Sequence, residues 1–421
     1  MATQMSSFTW LDYSEHERRQ AMEVIDLFGE DETRDELGLG TIRDCFADLL
    51  FPGTSTIQTR ARYFLFVPRV FLDLERKKIP GHLINDRARA LQGRLRDALI
   101  KGGEETGVIG YRAGLHVQRL PSSVYWYGLR RWGILKFDGT EDDYRRYLDS
   151  FYLRRDGAAS ADKGESPDVP PSNWDPHLLH LFETAIKEQP TESWSSESTF
   201  ALTRTESEYL YQRIAGSAPH SLLAHLIMTG QTISEDQRFP WEVPFKIGLQ
   251  DPLAGQLMHA RNFSEVMHGA ALVYNLLLAE QKQGGEFVSH YQSQLNTWFN
   301  SLRVRQGDLE AWNRAAFWQL MLERGTRVRG VTRRFVDDWM TFALSAPSFA
   351  AISDSPAARH MVTNQEHAVK PGRARIGTPR TTENWEGSSG SAQLNYRWNR
   401  PVRAIVNDIL KPLQVEKADD A

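Results

Sequence analysis

Along residues 177–412, apolar positions recur three and four residues apart, the period of helices that bury one face. That pattern predicts helices over 177–188, 205–214, 219–229, 254–282, 286–304, 307–324, 331–345 and 401–412. In the longest, LAGQLMHARNFSEVMHGAALVYNLLLAEQ, apolar residues cover more than one stripe, which predicts the central helix of a bundle. Nearer the N-terminus, Ser14 and Glu17 form a capping-box pattern ahead of Ala21, Met22, Ile25 and Phe28, predicting a helix over 14–28. Thr33 and Glu36 repeat the signature. Thr41 is placed to cap a helix carrying Ile42, Cys45, Phe46, Leu49 and Leu50, stopped by Pro52-Gly53. The apolar run 63–67 fits a buried helix turn and a strand equally. Residues 85–101 read as a basic amphipathic helix with Arg87, Arg89, Arg94 and Arg96.

The most specific pattern lies at 104–137, EETGVIGYRAGLHVQRLPSSVYWYGLRRWGILKF, which reads as a winged helix-turn-helix. A short helix over 111–117 precedes a turn at Gln118-Arg119-Leu120. A second helix opens at Pro121-Ser122-Ser123, where proline is tolerated and serine is a preferred cap. Tyr125, Leu129 and Trp132 share one face, expected to be core, while Ser122, Ser123, Trp126, Arg130 and Arg131 share the opposite, DNA-reading face. Gly133 ends the helix, and Ile134 to Phe137 with Asp138-Gly139 suggests the first strand and turn of a wing. The expected fold class is therefore mainly α: an N-terminal winged-helix-like domain (1–155, the element at about 85–140), a linker or long loop at 156–176, and a C-terminal helical-bundle domain (177–412) with an Arg/Gly-rich loop at 371–400.

Charge adds a partner class. The chain of 421 residues has a net charge of −4, but the sign is unevenly distributed. Residues 1–53 hold 4 Lys+Arg against 12 Asp+Glu, residues 54–155 hold 20 against 11, and residues 324–403 hold 13 against 6. Two basic regions in an acidic chain favour a polyanion surface. An acidic N-terminal segment folded over a basic one is the alternative account. In 324–334, RGTRVRGVTRR, and in 370–380, KPGRARIGTPR, glycines beside arginines let backbone amides and guanidinium forks approach phosphate. Arg327, Arg329, Arg373 and Arg375 are the candidates there, with Arg112 and Arg119 on the backbone flanking the helix-turn-helix. A set of intrachain ion pairs is the plainer reading of the same segments.

Catalytic chemistry is poorly represented. The chain lacks a phosphate loop, a G-x-G-x-x-G fingerprint and a G-x-S-x-G elbow. Its one cysteine, Cys45, sits at an apolar helical position and excludes an intrachain disulfide framework and a cysteine-based zinc site. Glu265 and His268 have the Glu-x-x-His spacing of di-iron bundles, but no second such pair occurs in the helical half. A polar network of Arg261, Glu265 and His268 that fixes helix register is the simpler expectation; His177 and His180 read as a solvated face. No cofactor and no metal are expected. The lack of an apolar leader and of a run near ~18 apolar residues points to a cytoplasmic chain.

The segments FTWLDYSEHERR (8–19), GLGTIRDCFADLLFPGTSTIQTRARYFLFVP (38–68), GVIGYRAGLHVQRLPSSVYWYGLRRWGI (107–134), MHARNFSEVMHGAALVYN (258–275) and LNYRWNRPVRAIVNDIL near the C-terminus together resemble a bacterial family of unknown function. The resemblance runs over nearly the whole chain and carries no established activity. It implies a neighbourhood of anti-phage defence genes, such as helicases and phospholipase-D-type nucleases. Arg69 departs from it, standing where an apolar aromatic is expected after FVP. Together these readings favour a non-catalytic subunit that binds duplex DNA or acts as an adaptor in genome defence. The alternatives are a scaffold docking on a helicase or nuclease partner and an enzyme with a site around His259, Glu265 and His268.

Overall fold

A computed structural model describes residues 35–114, 117–161, 172–188 and 197–414. The helix expected over 14–28 and the capping residue Thr33 lie outside the described residues, as do residues 162–171 of the 156–176 segment. The helices are α1 (Gly40–Leu50), α2 (Tyr63–Arg76), α3 (Ile84–Lys101), α4 (Pro121–Arg131), α5 (Glu141–Ala161), α6 (Pro176–Glu188), α7 (Arg204–Ser217), α8 (Leu222–Thr229) and α9 (Leu253–Gln281). They continue with α10 (Gly285–Val304), α11 (Gln306–Glu310), α12 (Arg314–Glu323), α13 (Gly330–Ser345), α14 (Ala350–Ser353), α15 (Pro356–Val369), α16 (Pro379–Thr382) and α17 (Arg403–Gln414). The protein is mainly α. No strand occurs among the described residues; Leu135 makes a single isolated antiparallel bridge to Trp174. Among the same residues, no helix is long and apolar enough to cross a membrane.

The absence of strands overturns the winged-helix expectation, and the physical reasons are local. Of the helix expected over 111–117, residues 115 and 116 lie outside the described residues; 111–113 form a turn, and Gly110 before it and Gly114 after it take positive φ, which an α-helix does not use. The segment expected to be a wing is buried at Ile134 and Leu135 and bonds to a distant stretch: Lys136 N donates to Asn173 O at 2.8 Å and Asp175 N to Ile134 O at 2.9 Å. The Asp138-Gly139 turn leads into a helix, since Thr140 Oγ1 accepts the Asp143 amide at 3.1 Å and Asp143 Oδ2 accepts the Thr140 amide at 3.0 Å. That helix, α5, carries Glu141, Asp142 and Asp143 in its first turn, where the helix dipole favours negative charge.

The ambiguous run 63–67 is helical and buried throughout. The stretch expected as one helix over 307–324 breaks into α11 and α12, because Asn313 leaves helical geometry and its Oδ1 caps the Ala316 amide at 3.0 Å. α15, not anticipated, begins where Ser355 caps Ala358 and Pro356 occupies the first turn.

The described residues fall into two compact units, one within Met1–Arg43 and Arg261–Leu394, the other within Asp44–Ala260 and Asn395–Ala421. These bounds cross the 156–176 position expected as a boundary: Arg213 pairs with Asp175 at 3.0 Å, and residues 173–175 bond to 134–136. The second unit holds an aromatic core. Trp132 stacks on Phe64 with centroids 3.9 Å apart, and Trp126 meets Phe71 and Tyr144 edge-on. Tyr125 Oη accepts the Thr59 and Arg60 amides at 2.9 and 3.0 Å and donates to Arg60 O at 2.9 Å. α17 packs on α7 and α8, and Arg60 grips Asp408 with a bidentate fork. In the first unit, Gly269 of α9 admits the Trp298 indole, which a Cβ there would meet at 2.2 Å. Trp298 and Trp339 donate to the carbonyls of Glu265 and Val266 at 2.7 and 3.0 Å.

Candidate polyanion-binding surface

In the second unit, α4 turns its polar residues in a different direction from that expected. Tyr125, Leu129 and Trp132 are core, as expected. Ser122 and Trp126, expected on the DNA-reading face, are also buried, at 0% and 6% exposure. Ser122 N donates to Gln92 Oε1 at 2.7 Å, and Gln92 Nε2 donates to Ser122 Oγ at 3.2 Å. Trp126 Nε1 donates to Gly139 O at 2.9 Å. The solvent stripe is Ser123, Tyr127 and Arg131, with half-buried Arg130 beside it. It is rotated by about one residue, ~100° on a helix, from the stripe expected. Tyr127 is missing from the expected stripe, although its place four residues from both Ser123 and Arg131 marks it as a member. Arg130 pairs with the exposed Asp138, and Arg131 Nη1 donates to Ser217 O at 3.0 Å. Arg112 and Arg119 are exposed.

In the first unit the two Arg/Gly segments behave differently. Segment 370–380 is half committed. Arg375 Nη1 reaches Glu36 Oε1 at 3.2 Å and Ser389 Oγ at 2.5 Å, while Arg373 is exposed. Glu36 is 6% exposed and also takes the Lys370 ammonium and, at 3.2 Å, the Tyr274 hydroxyl. Burial opposes its ionisation, yet hydrogen bonds from Lys370 and Ser389 and the charges of Lys370 and Arg375 hold its carboxyl below the usual value. For Arg375 the plain reading as an intrachain ion pair is thus the observed one.

Segment 324–334 is not committed in this way. α12 and α13 form an antiparallel hairpin: Arg314 Nη1 donates to Thr341 Oγ1 at 3.0 Å, and Trp318 Nε1 to Asp337 Oδ1 at 2.9 Å. Gly325, with φ of +67°, turns the chain at the end of α12. The tip and first turn of α13 present Arg324, Arg327, Arg329, Arg333 and Arg334, all exposed. Arg333 lies over the Trp318 ring at 5.0 Å. None of the five guanidinium groups pairs with a carboxylate among the described residues.

The histidines and carboxylates of α9 offer no metal site. Glu265 is occupied by Arg261 and Arg305. Burial pushes His268 down to about 4, so its imidazole is neutral near pH 7. No group of three or more His, Cys, Asp or Glu among the described residues could hold a metal ion. A cavity of about 40 Å³ borders Asp35, Glu36, Arg43, His268 and Tyr274. At roughly 10–15 Å³ per water, it takes a few waters and no organic substrate.

The model of a family of unknown function, DUF6361, matches residues 5–156 and 167–408. The match covers most of the chain, which therefore belongs to that family. No curated protein and no solved structure matches it.

Proposed function

We propose that this chain is a non-catalytic DNA-binding protein that grips the phosphate backbone of a duplex through the arginine tip of the α12–α13 hairpin. The observation that carries this reading is the contrast in pairing. Arg60, Arg213, Arg305, Arg359, Arg375 and Arg397 each hold a carboxylate, whereas the five arginines of 324–334 are exposed and hold none among the described residues. Clustered guanidinium groups left in water repel one another, and a polyanion relieves that repulsion while releasing its own counterions. Arg327 and Arg329 are the central contacts. Arg373 in the same unit is an auxiliary one; Ser123, Arg112, Arg119 and Arg131 of the other unit are separate candidates, and Ser122, Trp126 and Arg375 drop out because their polar atoms are already used. A role in bacterial genome defence rests on the resemblance alone.

The test is the salt dependence of binding to a labelled duplex. Replacing Arg327, Arg329 and Arg334 together by alanine is expected to weaken binding and to lower the log–log salt slope by about 0.9 per lost phosphate contact. An unchanged slope and affinity would remove the hairpin tip from the interface and leave protein docking as the role of these surfaces.

A further inference from the structure

α4 presents one large ring to water. Tyr127 is 48% exposed, whereas Tyr125, Trp126 and Leu129 of the same helix are buried. The helix beneath it is seated without slack: a Cβ on Gly128 would meet Gly53 O at 2.4 Å and Phe64 Cε1 at 2.7 Å. The ring is thus carried on a rigid element and needs no ordering before it can bind. Side chains on a helix lean toward its N-terminus, over the residue four positions earlier. Arg131 therefore leans over Tyr127, and Tyr127 over the small Ser123. Arg130, three residues on, flanks the ring.

The carboxylates around this ring are already neutralised. Arg130 pairs with Asp138. Arg397 Nη1 donates to Asp48 Oδ1 and to Thr54 O, both at 2.7 Å. It does so from a backbone held left-handed at two successive residues, with φ of +57° at Tyr396 and +72° at Arg397, a conformation that side-chain-bearing residues seldom take. The Tyr396 hydroxyl secures it by donating to Ala260 O at 2.7 Å. Arg131 differs from both arginines. Its partner is the Ser217 carbonyl, which takes one of five N–H donors and leaves the charge uncompensated. Partial burial raises the Tyr127 phenol above its usual value, Asp48 adds to that, and Arg131, Arg397 and Arg130 oppose it. The phenol is therefore uncharged near pH 7 and does not repel a phosphate.

We infer that Tyr127 is a stacking platform for an unpaired nucleobase, with Arg131 on the phosphate of the same nucleotide. The neighbours on the stripe, Ser123, Arg130 and Arg131, are all polar, whereas the centre of a protein interface is apolar and depleted of charge. Bases inside a duplex are stacked on both faces; an unpaired base has a face to offer an aromatic side chain. Stacking of this kind tolerates any base, because every base has a π-face. The inference concerns this unit and a single strand, and it stands whether or not the hairpin arginines grip duplex.

The experiment uses the full chain and a thymine- or uracil-rich single strand carrying one 2-aminopurine, in DNA and RNA forms. Stacking on the ring changes the emission of 2-aminopurine. Tyr127→Ala is expected to lower affinity about tenfold and to abolish the emission change. Tyr127→Phe should keep both, since stacking uses the ring and not the hydroxyl. Arg131→Ala should lower the log–log salt slope by about 0.7, the value of one single-strand phosphate contact. A strand of the same length made of abasic sugar-phosphate should bind the parent and Tyr127→Ala alike. Whichever form, DNA or RNA, shows the larger Tyr127 effect identifies the sugar. Parent-like affinity in Tyr127→Ala overturns the inference, as does a Tyr127→Phe variant that falls as far as the alanine one. So does an abasic strand that loses as much affinity for Tyr127→Ala as the base-bearing strand, which would make the defect structural. A parent that binds neither form overturns it outright, and an unchanged slope in Arg131→Ala removes the phosphate contact.

Discussion

α4 and the tip of the α12–α13 hairpin both place arginines at a helix end, yet the surrounding chain treats them in opposite ways. Around α4 almost every polar group has found an internal partner: Ser122 with Gln92, Trp126 with the Gly139 carbonyl, Arg130 with Asp138, Arg131 with the Ser217 carbonyl. At the hairpin tip none of the five arginines meets a carboxylate among the described residues, and Arg333 lies over the face of Trp318. The difference teaches that arginine density is a poor guide to a binding surface, because a guanidinium costs little to leave in water and is readily consumed by a nearby carbonyl or carboxylate. The useful signal is which arginines the fold leaves without a carboxylate.

The largest effect that could break this comparison concerns the inward half. Trp132→Ala and Trp126→Ala should each cost about 3–5 kcal/mol, because both rings are buried and each leaves an indole partner, the Pro52 or the Gly139 carbonyl, unsatisfied. Chemical denaturation of the two variants measures it. If Trp126→Ala costs far less than Trp132→Ala, the Trp126 face of α4 is in solvent after all, and a recognition helix returns as an option.

How much of this was legible beforehand follows from what sets each feature. The helices of the C-terminal half follow from apolar period, a local property, and so does the burial of Tyr125, Leu129 and Trp132. The inward turn of Ser122 and Trp126 depends on Gln92 of α3 and on the 139 carbonyl, which no spacing within α4 reveals. The false wing has the same origin: Ile134 and Leu135 read as a strand, but their partner lies near Trp174, some forty residues on, rather than in a following hairpin strand. The exposure of Arg327 and Arg329 is legible in the sequence because their segment is composed of little except arginine, glycine and small residues. That Arg375 of the similar segment 370–380 is spent on Glu36 is not, since the two are 339 positions apart.

A smaller effect sharpens the inward half through pH. Glu75, beneath the same aromatic core, accepts from Tyr144, from Asn173 at 3.2 Å and from Trp174 Nε1 at 2.8 Å. Burial raises its carboxyl above the usual value, against the pull of those hydrogen bonds. For an acid whose folded value is raised, the folded state holds the proton more tightly than the unfolded one. The stability this gives is present below the unfolded value near 4.5 and is lost as pH rises toward the folded value. Glu36 runs the other way: its lowered value gives stability that is present above the unfolded value and is lost as pH falls through the folded one. Glu75→Gln keeps an amide oxygen for the three donors and removes the charge, so its melting temperature should gain on the parent as pH rises from about 4 to 7. A parent and variant that shift in parallel would show that Glu75 ionises without penalty and that this core is wetter than its burial implies.

The smallest effect bears on the outward stripe of α4. Arg130→Ala with Arg131→Ala removes one exposed ion pair and one guanidinium–carbonyl bond. Asp138 is 91% exposed, so the ion pair falls in the class worth about 0.2–1 kcal/mol, and the double variant should stay folded. Its duplex affinity should fall much less than that of the three-alanine hairpin variant, because both guanidinium groups already have internal partners and must exchange them for phosphate. The salt slope separates the possibilities more sharply than affinity does. Two lost phosphate contacts lower it by about 1.8, whereas arginines that make no phosphate contact leave it nearly unchanged. A drop near the former value, with a hairpin variant that keeps its slope, would exchange the roles of the two regions: Ser123, Tyr127 and Arg131 would become the contact stripe, and the arginine tip a solvated turn.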